Sequence, residues 1–255
     1  MLCPIVGAFV VLRGMAFLGD ALAHIILPGV VIAFLLGIPL VVGALVMGVL
    51  TAFGIAALSE RDVLREDSAI GVIFAGAFAL GIALLSATDG YAVDLTHFLF
   101  GNLLAVSQAD LWTMLVLSVI VLTLIGLLFK ELQVVAFDPV LARTLRLPVR
   151  GLDYLLLILI AVTIVVALQA VGISLMLAMI VTPAATASLF TRRLLPMMLW
   201  GAVIGALSGA IGLYASYYLN IASGPAVVLV ATAIFVIVFL FAPQRGLLWA
   251  RLMRR

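Results

Sequence analysis

Between Leu155 and Leu168 the chain reads Leu155-Leu156-Leu157-Ile158-Leu159-Ile160-Ala161-Val162-Thr163-Ile164-Val165-Val166-Ala167-Leu168, and only Thr163 is polar. The apolar character extends over 151–171, and ~20 such residues suffice to cross the hydrocarbon core as a helix. Working outward, the same character returns at 173–190, 196–219 and 226–242 on one side. On the other side it fills 1–12, 14–36, 40–58, 69–86 and 108–129. Unbroken runs of this length are unlike the weak alternating segments of about ten residues that mark outer-membrane barrels. Over all 255 residues 67% are hydrophobic and 9% charged, with a mean hydropathy of +1.44. A soluble globule, with roughly 25% charged residues, is excluded. The sequence predicts an all-α polytopic transmembrane bundle of about eight crossings plus an incomplete N-terminal helix, in one domain over 1–255.

Two segments strain that count. Residues 1–12 cover only ~18 Å of a core about 30 Å thick, so they read as half a helix or as a chain that begins late. They do not resemble a signal peptide, because no basic region precedes the apolar run. Residues 151–190 are barely long enough for two crossings turning near Gly172, so one of the two is expected to be short or re-entrant.

Charge sets the orientation. Of thirteen Lys and Arg residues, Arg61 and Arg65 lie in the first polar loop and Lys130, Arg143, Arg146 and Arg150 in a long link over 130–150. Arg192 and Arg193 occupy the next link, Arg245, Arg251, Arg254 and Arg255 the C-terminal tail, and Arg13 the junction after the first segment. The links at 37–39, 87–107 and 220–225 carry neither residue type. Basic links stay inside, so these three face outward. The formal net charge of +2 is too small to suggest nucleic-acid binding.

Several chemistries are missing. Lys130 is the only lysine and is followed by Glu131, so no G-x-x-x-x-G-K-[ST] loop holds ATP phosphates. There is no H-E-x-x-H pair, and Cys3 is the only cysteine, which rules out an intrachain disulfide or a Cys-rich metal site. If ATP drives this chain, another chain hydrolyses it.

The strongest chemical signal is Gly19-Asp20-Ala21-Leu22-Ala23-His24, closed by Pro28-Gly29. Residues four apart share a helix face, so Asp20 and His24 point the same way. Counted from Arg13 at the inner interface, they lie ~10 and ~16 Å along the axis, near the bilayer middle. An aspartate there costs about 2.5–3.5 kcal/mol, so a role is its default reading. Spacing leaves three readings open. The pair ligates a divalent Zn, Mn or Fe ion, it merely hydrogen-bonds internally, or it relays protons. One chain supplies two ligands and two chains around an axis would supply four. Asp94 and His97, with Asp89 and Asp110, form a secondary candidate, an acidic outer mouth that a solvated loop explains equally well.

In the long inner link, Ala136-Phe137-Asp138-Pro139 reads as a helix start with Asp138 as N-cap and Pro139 in the first turn. Val140 to Arg146 makes one to two turns, and Leu147-Pro148 ends them. This amphipathic helix near 138–147 either lies on the membrane or docks in a partner's groove. Gly201, Gly205 and Gly209, four residues apart, suit close helix packing inside the subunit, and Thr182-Pro183 suits a kink.

Taken in order, these residues resemble the permease subunits of zinc/manganese-type ABC importers. The resemblance runs from Phe9-Val10-Val11-Leu12-Arg13 through Gly19 to His24, Leu27-Pro28-Gly29, Glu66-Asp67-Ser68-Ala69-Ile70-Gly71 and Phe98-Leu99-Phe100-Gly101-Asn102. It continues in Ala136-Phe137-Asp138-Pro139, Gln169-Ala170-Val171-Gly172, Val181-Thr182-Pro183-Ala184-Ala185 and Ser223-Gly224-Pro225. It implies a multi-pass protein of the cytoplasmic membrane that transports zinc or manganese as substrate, with no bound cofactor. The implied partners are cytoplasmic ABC ATPase subunits, an extracytoplasmic metal-binding protein and a second permease copy, most simply as a homodimer. It also implies that Asp20 and His24 are in-channel metal ligands. Phe137, Asp138, Pro139, Leu141 and Ala142 would couple to the ATPase, and the chain would not itself be an enzyme. Family members carry roughly a further half-helix ahead of the Val-Leu-Arg run, so this chain looks short there. The alternative is a stand-alone proton-coupled transporter using Asp20 and His24 as a relay. An intramembrane hydrolase lacks the residues it needs.

The charge pattern makes a direct prediction. In a Cys3→Ala background, Arg251→Cys should react with a membrane-impermeant maleimide only after cells are opened. Labelling in intact cells would invert the topology.

Overall fold

The computed structural model describes residues 1–59, 66–87 and 107–241. Among these residues there are helices and no strands, in the order α1 (Leu2–Leu12), α2 (Ala16–Ile25), α3 (Leu27–Leu35), α4 (Leu40–Ser59) and α5 (Glu66–Ser86). Then follow α6 (Gln108–Leu127), α7 (Phe129–Phe137), α8 (Pro139–Thr144), α9 (Val149–Ser188), α10 (Leu194–Leu219) and α11 (Ser223–Phe241). Seven helical stretches are long and apolar enough to cross a membrane, α2 and α3 counting together as Ala16–Leu35.

The 40 residues of α9 would span about 60 Å as one straight helix, twice the hydrocarbon thickness. They are not one straight helix. Gly172, at φ 74° and ψ 174°, breaks it where the sequence places the turn. Counting the two halves separately gives eight segments among the described residues beside the short α1, in line with about eight crossings. The half after Gly172 is the shorter one.

The chain forms two compact units. One comprises Met15–Ile173. In it α3 packs on α4 and α5, α2 on α5 and α4, and α7 carries α8. The α3–α4 crossing is set by glycine. A Cβ on Gly29 would strike the Gly43 carbonyl and lie 2.7 Å from the Met47 Cβ. A Cβ on Gly43 would strike the Gly29 carbonyl and lie 2.6 Å from the Ala33 Cβ. Each backbone thus occupies the other's missing side chain. The link between these helices is the expected turn at 37–39. Gly37 takes φ 66°, and Ile38 N–H reaches back to the Ala33 carbonyl at 3.0 Å.

The other unit comprises Met1–Gly14 and the chain from Ser174 onward. Here α1 packs on α10, and α10 on α11. A Cβ on Gly7 would strike the Ile180 carbonyl, and one on Gly205 would lie 2.7 Å from the Pro4 Cγ. A Cβ on Gly201 would lie 3.5 Å from the Pro4 Cβ, whereas at Gly209 it would meet nothing. The glycine ladder therefore packs inside the subunit at its first two rungs only.

The link over 130–150 is more ordered than its polarity suggests. Residues Phe129–Phe137 are helical, set off from α6 by a break at Leu128 with φ −104° and ψ 21°. At the start of α6, Ser107 and Asp110 form a capping box, with Asp110 N–H donating to the Ser107 hydroxyl at 3.1 Å and Ser107 N–H to the Asp110 carboxylate at 3.2 Å. Asp110 therefore closes a helix end, which accounts for one member of the expected acidic mouth.

Gly43→Ala should cost ~1–3 kcal/mol through overpacking against Gly29 and Ala33 and lower the thermal midpoint of the solubilised protein. Gly126→Ala, where a Cβ meets nothing within 4 Å, should leave that midpoint unchanged or slightly raised.

Candidate metal site and the helix after Asp138

Helix α2 is two-faced. Leu18, Leu22 and Ile25 are fully buried, whereas Phe17, Asp20 and His24 occupy the more open side. The His24 and Asp20 side chains keep 30% and 36% of their accessible surface. The His24 ring donates from Nδ1 to the Asp20 backbone carbonyl at 2.9 Å. A carbonyl only accepts, so Nδ1 carries a proton, and Nε2 is the ring nitrogen left to face a ligand. Nδ1 lies 3.9 Å from the Asp20 Oδ1, beyond hydrogen-bond range. Among the described residues the Asp20 carboxylate has no hydrogen-bond partner.

Aromatic rings from α5 hold the imidazole. His24 meets Phe74 edge-on at 5.9 Å and Phe78 at 5.5 Å, while Phe74 and Phe78 stack at 5.8 Å. Phe17 closes the row, edge-on to Phe74 at 6.1 Å. The rings restrict the rotation of His24 without competing for Nε2. The Phe74-x-x-x-Phe78 spacing is visible in the sequence, but its pairing with His24 depends on α2 meeting α5 and was missed.

This arrangement offers two unengaged donor atoms, a carboxylate oxygen and an imidazole nitrogen, suited to a divalent first-row ion. Among the described residues no group of three or more His, Cys, Asp or Glu side chains comes together. Asp20 and His24 thus stand as a pair among the described residues, with no third side chain of these types beside them. Asp94 and His97 lie outside the described residues, as does the stretch around Phe98.

Helix α8 takes the expected form, ending slightly earlier than 147. The Asp138 carboxylate accepts from Val140 N–H at 2.9 Å and Leu141 N–H at 3.0 Å, and Pro139 occupies the first turn. Phe137, Asp138, Pro139 and Leu141 are exposed, and so are Val140 and Leu145. Ala142 is fully buried and supports the helix from beneath.

Comparison with known proteins connects these features. The chain is 46% identical over 248 residues to the manganese transport system membrane protein MntC of Halalkalibacterium halodurans, covering 97% of this chain and 85% of that protein. It is 42% identical over 240 residues to the manganese import system permease protein ScaB of Streptococcus parasanguinis, covering 94% and 85%. In structure it resembles PsaBC from Streptococcus pneumoniae, solved in complex with a Fab, with a TM-score of 0.85 and 38% identity over 98% of this chain and 90% of that one. The profile of the ABC 3 transport family matches residues 1–242, and the chain belongs to that family.

Proposed function

We propose that this chain is the membrane-spanning permease subunit of an ABC importer of divalent transition metal, with manganese as the first candidate substrate and zinc as the second. The observation that carries the reading is the Asp20/His24 pair, two unengaged ligand atoms on one face of an apolar helix, in a chain whose relatives are named as membrane and permease proteins of manganese transport and import systems. Asp20 and His24 bind the ion in transit. A second copy contributes the same pair, so that four protein donors meet at a shared axis in the cytoplasmic membrane. ATP hydrolysis falls to a partner subunit docked on the exposed apolar side of α8, and an extracytoplasmic metal-binding protein delivers the ion. A direct Asp20–His24 proton relay fits poorly, because Nδ1 is committed to a carbonyl and stands 3.9 Å from the carboxylate.

Metal uptake tests the site. His24→Ala removes one donor from each subunit and should abolish manganese accumulation while leaving the amount of membrane-inserted protein unchanged. Asp20→Asn keeps the shape but loses the charge and should weaken uptake of every divalent metal. Wild-type uptake by both variants would overturn the assignment.

Leu141→Asp tests the docking surface, because it places a charge in the apolar patch beside Phe137 and Val140. Transport and ATPase co-purification should both fall with insertion intact. Adding Asp138→Ala removes a cap worth about 1 kcal/mol and should deepen the defect. Normal co-purification would favour a helix lying on the membrane surface.

A further inference from the structure

Among the described residues five take a left-handed backbone: Gly14, Gly37 and Gly172, where no Cβ objects, Asn220, and Arg146 at φ 56°. Asn is several-fold enriched in this region, and Arg is not. The geometry at Arg146 is a complete Schellman closure of α8. Leu147 N–H donates to the Ala142 carbonyl at 3.1 Å, and Arg146 N–H to the Arg143 carbonyl at 3.0 Å. The end of α3 closes in the same way, with Ile38 donating to Ala33 and Gly37 to Phe34, each at 3.0 Å, and there the left-handed residue is glycine. Two copies of one motif in one chain thus differ at the position where glycine is favoured.

The local structure does not repay the arginine. Its side chain is exposed, and among the described residues it has no ion-pair or hydrogen-bond partner. Arg143 lies in the last turn of α8, where a cation complements the helix dipole, whereas Arg146 lies beyond that turn. The one acid of α8, Asp138, is occupied by its cap bonds to Val140 and Leu141. Arg146 also borders the exposed apolar patch of Val140, Leu141 and Leu145. A diffuse attraction to anionic lipid would be met equally well by an arginine at an unstrained position. Only a directional partner gains from a guanidinium fixed at the end of a closed helix.

We propose that Arg146 is a positioning residue of the ATPase interface, its guanidinium pairing with a carboxylate on the ATPase subunit at the edge of the apolar contact. This rests on the docking role proposed for α8 and names the chemistry of the partner surface. Arg146→Gly supplies the test, because it relieves the backbone and removes only the side chain. With the permease in phosphatidylcholine nanodiscs, binding of the separately purified ABC ATPase subunit encoded with it should weaken about ten- to a hundredfold, the factor expected for one charge-assisted bond. The thermal midpoint of the permease alone should hold or rise. Arg146→Asn should behave as Arg146→Gly does, and Arg146→Lys should fall between, keeping the charge without the planar fork.

Wild-type ATPase binding by Arg146→Gly would overturn the proposal. So would a defect that appears only when anionic lipid is added to the nanodiscs, which would identify a headgroup contact. Unfolding of both the glycine and the asparagine variants would also overturn it, because the side chain would then be holding the fold. Leu141→Asp separates the two levels. If it abolishes ATPase binding while Arg146→Gly does not, the docking role of α8 stands and the role of Arg146 falls. If Leu141→Asp leaves binding intact, the docking role itself fails.

Discussion

Hydrocarbon offers no hydrogen bonds, so every polar group within a crossing must find its partner inside the protein, and most of this architecture follows from that constraint. The buried threonines show it. Thr51 donates to the Met47 carbonyl, Thr163 to Leu159 and Thr186 to Thr182, each four residues back at 2.7–2.8 Å. Helix closeness is likewise achieved without polar side chains, by fitting Gly29 against Gly43 and Gly7 against Ile180. The buried Ser59 and Ser208 hydroxyls and the Gln169 Oε1 depart from the rule, and so does Asp20, whose carboxylate lacks a hydrogen-bond partner among the described residues. A carboxylate left unsatisfied on an apolar helix is costly, and that cost is what makes the position a candidate site.

The presentation of Asp20 and His24 depends on neighbours that do no chemistry. Leu18, Leu22 and Ile25 anchor the opposite face of α2, and Gly14 at φ 70° begins the helix afresh after Arg13. At the far end Pro28 lacks the N–H that an unbroken helix would aim at the His24 carbonyl, and the chain passes into α3 through Ile26. α3 is then held by the Gly29–Gly43 crossing. The face that carries Asp20 and His24 is thereby fixed by packing on its own element and on the next.

Legibility from sequence tracks the range of the interaction. The Asp138 cap, the Pro139 start and the turn at Gly37 were readable because cap and turn chemistry acts over three or four residues. The break at Gly172 was readable from length, since 151–190 is too long for one crossing and barely enough for two. Helix α7 reads in sequence as part of a polar link, because Lys130, Glu131 and Gln133 interrupt its apolar pattern, although Leu132 and Val135 are buried on one face. The rings around His24 and the glycine that receives Gly29 were not readable, because both depend on which helices meet. The ladder at Gly201, Gly205 and Gly209 shows the same limit: spacing announces close packing, but tertiary contact decides that Gly209 takes no part.

Helix α8 poses a problem of scale. Six residues are far fewer than the ~12–15 an isolated helix needs to be even marginal in water. Its stability comes from its ends. At the start two backbone N–H groups bond to Asp138, and at the finish the Ala142 and Arg143 carbonyls receive Leu147 and Arg146. Within so short a helix these closures satisfy much of what would otherwise be open backbone. Buried Ala142 provides the contact beneath. The helix is therefore formed before any partner arrives, and docking on it does not bear the entropy of folding it. This suits the docking role proposed for α8, because a knob already rigid when gripped transmits displacement and does not absorb it.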